Sequence, residues 1–155
     1  MRIERRVLGL VLCGAALAGC DLLATRPTFE VTLAVPEEIT VAETFVLGVD
    51  VKNPHAAAIT LDSVDVDSKL LKGFQLISVA PTPADVTHIP VLDQRSWNFG
   101  RSIPPGGVLR VAFRLRPLNV GRFSGEVGAC NPGQDCANAF ADLVVSPRNA
   151  GPRPQ

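Results

Sequence analysis

The chain contains no Tyr, one Trp and 2 His, and aromatic residues make up only 5% of its 155 positions. So few rings leave little to stack nucleic-acid bases on. Lys plus Arg equal Asp plus Glu at 15 each, so the basic excess of a nucleic-acid binder is missing as well. Catalytic signatures are equally scarce. There is no G-x-S-x-G elbow for a nucleophilic serine, no glycine-rich phosphate loop and no H-E-x-x-H zinc helix. The sequence reads as a non-enzyme without a nucleic-acid partner or a dissociable cofactor. Charged residues reach only 19% against 46% hydrophobic, which argues against intrinsic disorder. Beyond residue 20 there is no apolar run long enough to cross a membrane, and no helix-period segment of useful length.

What is present starts with an address. Arg2, Arg5 and Arg6 precede an apolar run over 7–19 that ends in small residues, the pattern of an export signal. As a helix this run spans about 20 Å, short of the roughly 30 Å hydrocarbon core of a bilayer. Its last residues with the next, Leu17-Ala18-Gly19-Cys20, resemble the lipobox of bacterial lipoproteins. That resemblance implies a signal peptide over 1–19, cleavage before Cys20, and diacylglycerol and acyl lipid on Cys20. It places the protein in the bacterial cell envelope, lipid-anchored to a membrane on the periplasmic or extracytoplasmic side. Residues 20–27 then form the acylated cysteine and a tether with a reach on the order of 15 Å.

With Cys13 in the signal and Cys20 acylated, Cys130 and Cys136 are left. Outside the cytoplasm a close pair favours a disulfide, and the intervening Pro132-Gly133 is a turn dipeptide, so the two cysteines are expected to face each other across a hairpin tip. A zinc or copper thiolate site is the alternative, with His55 and His88 as the remaining ligands.

Between residues 28 and 145 the apolar residues alternate with period two. Phe45, Leu47, Val49 and Val51 fall on one face, opposite Val46, Gly48, Asp50 and Lys52. Leu109, Val111, Phe113 and Leu115 alternate with Arg110, Ala112, Arg114 and Arg116. Further strands are expected over 28–35, 59–66, 74–80, 86–92, 95–99, 123–129 and 137–145. Turn signals punctuate them: Asn53-Pro54, Lys72-Gly73, Pro81-Thr82-Pro83, Pro104-Pro105-Gly106-Gly107 and 119–121. Seven to nine short antiparallel strands with such punctuation predict an all-β sandwich. The Pro-rich 146–155 segment is expected to be a disordered tail.

Three motifs are similar to those of bacterial extracellular Ig-like repeat modules. Val51-Lys-Asn-Pro-His55 resembles their V-x-N-x-G strand end. Residues 65–74, ending Leu71-Lys-Gly-Phe74, resemble their D-x-L-P-x-G-hydrophobic crossing. Trp97-Asn-Phe-Gly-Arg-Ser-Ile-Pro-Pro-Gly106 resembles their approach to the next strand. His55 stands where the modules often have Gly, and Leu71 where they often have Pro. The resemblance implies an Ig-like sandwich over 28–145 and no enzymatic activity.

Three sets of residues are candidates for a functional surface. Arg110, Arg114 and Arg116 share the polar face of one strand, with Arg122 close behind, and could pair with an acidic protein partner or lipid phosphates. Asp62, Asp65 and Asp67 offer hard oxygen ligands for a cation such as Ca²⁺; the plainer expectation is a solvated strand face that discourages edge pairing. Trp97 is expected in the core, and His55 and His88 in solvated loops. The functional expectation is a membrane-anchored accessory or binding subunit of an envelope protein complex. The alternative is a periplasmic lipoprotein that binds a ligand or metal.

Overall fold

A computed structural model of the protein describes residues 27–148. The signal-like segment 1–19, Cys20 with most of the tether, and residues 149–155 lie outside the described residues. Ten strands form two sheets. The four-stranded sheet has the order β1-β3-β8-β5, with β1 (Glu30–Ala34), β3 (Phe45–Lys52), β5 (Phe74–Ala80) and β8 (Val108–Pro117). The six-stranded sheet has the order β2-β10-β9-β4-β7-β6. Its strands are β2 (Ile39–Thr40), β4 (Ile59–Asp67), β6 (Asp85–Ile89), β7 (Gln94–Ile103), β9 (Gly121–Cys130) and β10 (Cys136–Ser146). All pairings are antiparallel except β2 with β10.

The period-two pattern buries one face of each sheet against the other. Leu47, Val49 and Val51 of β3 and Val111, Phe113 and Leu115 of β8 are fully buried. They meet Leu61, Val64 and Val66 of β4, Trp97 of β7, Val127 and Ala129 of β9, and Leu143 of β10. Trp97 is the largest buried side chain and stands edge-on to Phe113, with ring centroids 4.9 Å apart. Such an edge-to-face pair links the two sheets at mid-core, where the electropositive ring edge meets the electronegative ring face.

The three motifs turn out to be fastening points. Pro105 and Gly106 occupy the centre of a turn closed by Gly107 N–H to the Pro104 carbonyl at 2.9 Å, and Gly106 has φ +67°. Pro then Gly with positive φ is the demand of a type II turn. This turn is gripped by Asn53, whose side chain is wholly buried. Asn53 Nδ2 donates to the carbonyls of Ala57, Ile103 and Pro104 at 2.8, 3.0 and 3.2 Å, and its Oδ1 accepts from His55 N–H at 2.9 Å. The strand-end motif and the Pro-Gly motif are therefore two halves of one joint. At Gly100 (φ +57°) β7 bulges, with two residues between Asn98 and Arg101 facing one between Leu61 and Ser63 of β4. At the crossing, Gly73 leaves room for Phe123: a Cβ there would sit 2.1 Å from the ring.

All nine expected strands are present, β5 over the expected residues and most of the others with shifted ends, and four expectations need correction. A tenth strand, β2, is only two residues long, too short to show a period. A four-residue helix, α1 (Ser68–Leu71), fills the crossing after β4, with Leu70 buried. His88 is on strand β6, in keeping with the strand expected over 86–92 and not with the solvated loop. Strand β10 extends through Ser146, which pairs with Thr40.

Candidate functional site

The arginine row lies on the outer face of the four-stranded sheet, because Val111, Phe113 and Leu115 of the same strand turn inward. The row divides. Arg110 Nε and Nη2 donate to Asp50 Oδ1 and Oδ2, both at 2.6 Å, across the β3–β8 ladder. Those bonds hold the Asp50 carboxyl below its usual pKa. Beside them Lys52 pairs with Glu30 at 2.7 Å. This half of the face is electrically balanced. Arg114 lies opposite Val46 on one side and Ser78 on the other, and Arg116 lies opposite Gln75. All three neighbours are uncharged, and among the described residues neither arginine has an ion-pair partner.

Next to these two cations runs a band of small residues. Ala34, Gly48, Ala112 and Ala80 form one cross-strand row over all four strands. Two exposed apolar side chains flank it, Val46 at 48% and Ile77 at 45% exposure. Ile77 lies in the irregular stretch of β5 between Leu76 and Ser78. Small residues let a partner's backbone come close, while two guanidinium forks offer paired donors to carboxylates. Sequence reading identified the arginines but not Asp50 as the counter-ion of Arg110, which depends on the β3–β8 register. Arg122 does not belong to this face: it sits on β9 of the other sheet, paired through both guanidinium donors with Asp142 of β10.

The aspartates are not a solvated edge-guarding face. Strand β4 is central, hydrogen-bonded to β7 and β9, so it has no edge to guard. Asp65 and Asp67 do share a side of the strand. Asp65 Oδ1 accepts from Ser96 Oγ at 2.5 Å, and its other oxygen touches Cys130 Sγ at 3.4 Å. Asp67 is buried and accepts from Glu126 N–H at 2.9 Å and Gln94 Nε2 at 3.2 Å, with Lys69 at 3.5 Å. Asp62 lies at the β-bulge and does not join them. Among the described residues, one group of three ligand-type side chains has its atoms mutually within 4.8 Å: Asp65, Cys130 and Cys136. Its two sulfurs are joined to each other as a disulfide between directly opposed residues of the β9–β10 hairpin. Asn131 shapes the hairpin tip, its Oδ1 accepting from Asp135 N–H at 3.0 Å. Sulfur held in that bond is not the thiolate that a zinc or copper site requires.

Burial works against the charge on Asp67, but the Glu126 amide, Gln94 and Lys69 outweigh it and its pKa falls below 3.8. A depressed carboxylate stabilises the fold above its unfolded pKa, and that contribution is lost as pH falls through the folded value. Asp67→Asn is therefore expected to cost about 2 kcal/mol at neutral pH, since bonds to charged groups contribute about 1.5–3 kcal/mol. The gap from the wild type should narrow below pH 3.8. Urea midpoints measured between pH 7 and the acid limb would check both parts.

The histidines lie apart. His55 Nε2 is 3.1 Å from the Pro27 carbonyl, while His88 lines a cleft of about 360 Å³ between β5 and β6 with Lys72 and Arg95. Among the described residues no helix is long and apolar enough to cross a membrane.

No protein-family model matches the chain, and no curated protein sequence matches it. Among solved structures it is similar to a cohesin module from a family 33 glycoside hydrolase of Clostridium perfringens ATCC13124. The two are 11% identical with a TM-score of 0.50, and the match covers 78% of this chain and 98% of that module. At that identity the likeness speaks for architecture alone: the protein is an all-β chain with an Ig-like sandwich fold.

Proposed function

We propose that the protein is a non-enzymatic binding subunit, anchored in the bacterial cell envelope through lipid on Cys20. In this reading it docks an acidic face of a partner protein onto the outer surface of its four-stranded sheet. The observation that carries the proposal is the unequal arginine row: Asp50 neutralises Arg110, whereas among the described residues Arg114 and Arg116 stand without acids beside exposed Val46 and Ile77. Two uncompensated forks next to a band of small residues and exposed Val46 and Ile77 fit a partner that brings carboxylates and a small apolar anchor. The lipobox-like motif supports the anchor, and the short tether would hold the sandwich close to membrane-bound partners. No dissociable cofactor is required.

The test is photo-crosslinking from position 77 in native membranes, read by mass spectrometry. A single membrane protein crosslinked through an acidic segment is expected. Arg114→Glu with Arg116→Glu should cut the yield at least about tenfold, because opposed like charges replace two attractive pairs. The thermal midpoint should stay close to that of the wild type, since both side chains are exposed. Cys20→Ala should release the protein from the membrane. Crosslinks indifferent to the double reversal would overturn the arginine-face reading, and membrane retention of Cys20→Ala would overturn the anchor.

A further inference from the structure

A groove that shares Ala34, Val46 and Gly48 with that face lies at the edge of the same sheet and makes a different demand, on main chain rather than on charge alone. Strand β1 stops at Ala34, opposite Gly48, while β3 runs on through Leu47, Val46 and Phe45. On its other side β3 remains paired to β8 as far as Phe45, opposite Leu115. Main-chain groups alternate between the two sides of a strand; Asn53 N–H bonds Gly107, so the odd residues of β3 face β8, and between 45 and 47 it is Val46 whose N–H and C=O have lost a β1 partner. Among the described residues no turn or loop hydrogen bond takes its place. Unpaired N–H and C=O groups on a strand edge are a template for another strand.

The gap is built into the sequence. Pro36 cannot donate to a ladder, and the chain crosses at that point to the other sheet, where β2 pairs with β10. It leaves a groove of about 530 Å³ beside the bare edge, lined among others by Pro36, Glu38, Ile39, Glu43, Phe45 and Val46. Glu38 and Glu43 supply negative charge. Glu43 already meets the guanidinium of Arg148 at 3.6 Å, so the lining can receive a basic side chain from an extended segment. Arg110 also lines the groove, but its Nε and Nη2 go to Asp50, which neutralises its charge.

We infer that this groove takes an extended, basic segment of a partner protein as an added strand on β3. The segment's main chain pairs with Val46, its apolar side chains rest against Val46 and Phe45, and a lysine or arginine reaches Glu38 and Glu43. Three residues of edge span about 10 Å, enough for a short strand rather than a long one. Backbone bonds supply the affinity and the alternate side chains the choice of partner. The inference stands whether or not the arginine face binds.

The test uses the full-length protein and an acetylated heptapeptide that alternates valine with arginine. Amide hydrogen exchange at Val46 is expected to slow at least about tenfold at saturating peptide, as its edge amide becomes hydrogen-bonded and protected. The same peptide N-methylated at alternate residues keeps its charges and valines but cannot pair, and should give no protection. Glu38→Gln with Glu43→Gln should weaken binding at least about fivefold through the lost charge pairs. Three outcomes would overturn the inference: equal protection by the N-methylated peptide, equal binding of a glutamate-for-arginine peptide, or no slowing at about 1 mM peptide, the weak end of useful affinity. Protection already present without peptide, and abolished by removing residues 149–155, would also overturn it, because the chain's own end would then be the occupant.

Discussion

Replacing Asn53 by aspartate is expected to destabilise the protein by about 4 kcal/mol at neutral pH, in the range seen when a buried charge loses its partner. The change is almost isosteric, so packing is not the cause. The side-chain amide lies wholly buried and donates to the carbonyls of Ala57, Ile103 and Pro104. A carboxylate would turn lone pairs toward those oxygens and repel them. The main chain of the same residue already bonds Gly106 and Gly107, so the site cannot swing open without loosening the β7–β8 turn. The penalty has a pH signature. With no donor except the His55 amide, the introduced carboxyl has a folded pKa above its unfolded value of about 3.9. Its destabilisation is therefore present at neutral pH and fades as the pH falls toward the unfolded pKa. Urea unfolding followed by Trp97 fluorescence, with wild type and variant compared at pH 7 and pH 4.5, would show the difference shrinking. Equal loss at both pH values would mean that charge at this joint is not the cause.

Trp97→Ala should cost about 4 kcal/mol, the usual range for emptying a buried aromatic site. The indole is 1% exposed and meets Phe113 edge-on, so truncation removes both a large volume and the ring pair that joins the sheets. Its ladder neighbours Val64 and Val86 are too short to fill the space, and the cavity term adds to the transfer term. Trp97→Phe keeps a ring against Phe113 and should lose less than half as much. Far-UV circular dichroism in urea is the suitable readout, because the variants lack the single Trp that reports by fluorescence. A loss below about 1 kcal/mol, typical of a surface change, would contradict a central position for this side chain.

Alternation made the strands legible. Wherever one face is buried, as in β3 and β8, apolar residues must recur at every second position, and the sequence shows them doing so. Turn chemistry was legible for a similar reason: the Pro104–Gly107 stretch has few other uses. The hairpin disulfide could be read because seven residues hold both cysteines and their turn. Strand β2 and helix α1 escaped because two and four residues are too few to display a period. His88 was misplaced because the Pro residues flanking its segment resemble loop punctuation, whereas its strand forms by pairing with β7. The aspartates were misread for a related reason. An acidic strand suggests an edge, and only the order of strands reveals that β4 lies between β9 and β7.

The sequence alone determined the class of fold, the inward-facing residues, the turns and the cysteine pair, all of which depend on neighbours within about ten positions along the chain. Tertiary structure decided which charges cancel. Asp50 and Arg110 are sixty positions apart and meet only through the β3–β8 register, leaving Arg114 and Arg116, among the described residues, as the cations of that face without an acidic partner. It also decided where a strand edge is left bare, since that follows from the point at which β1 abandons β3 for the other sheet. Charge compensation and edge exposure are properties of long-range pairing, and a one-dimensional pattern carries no term for them.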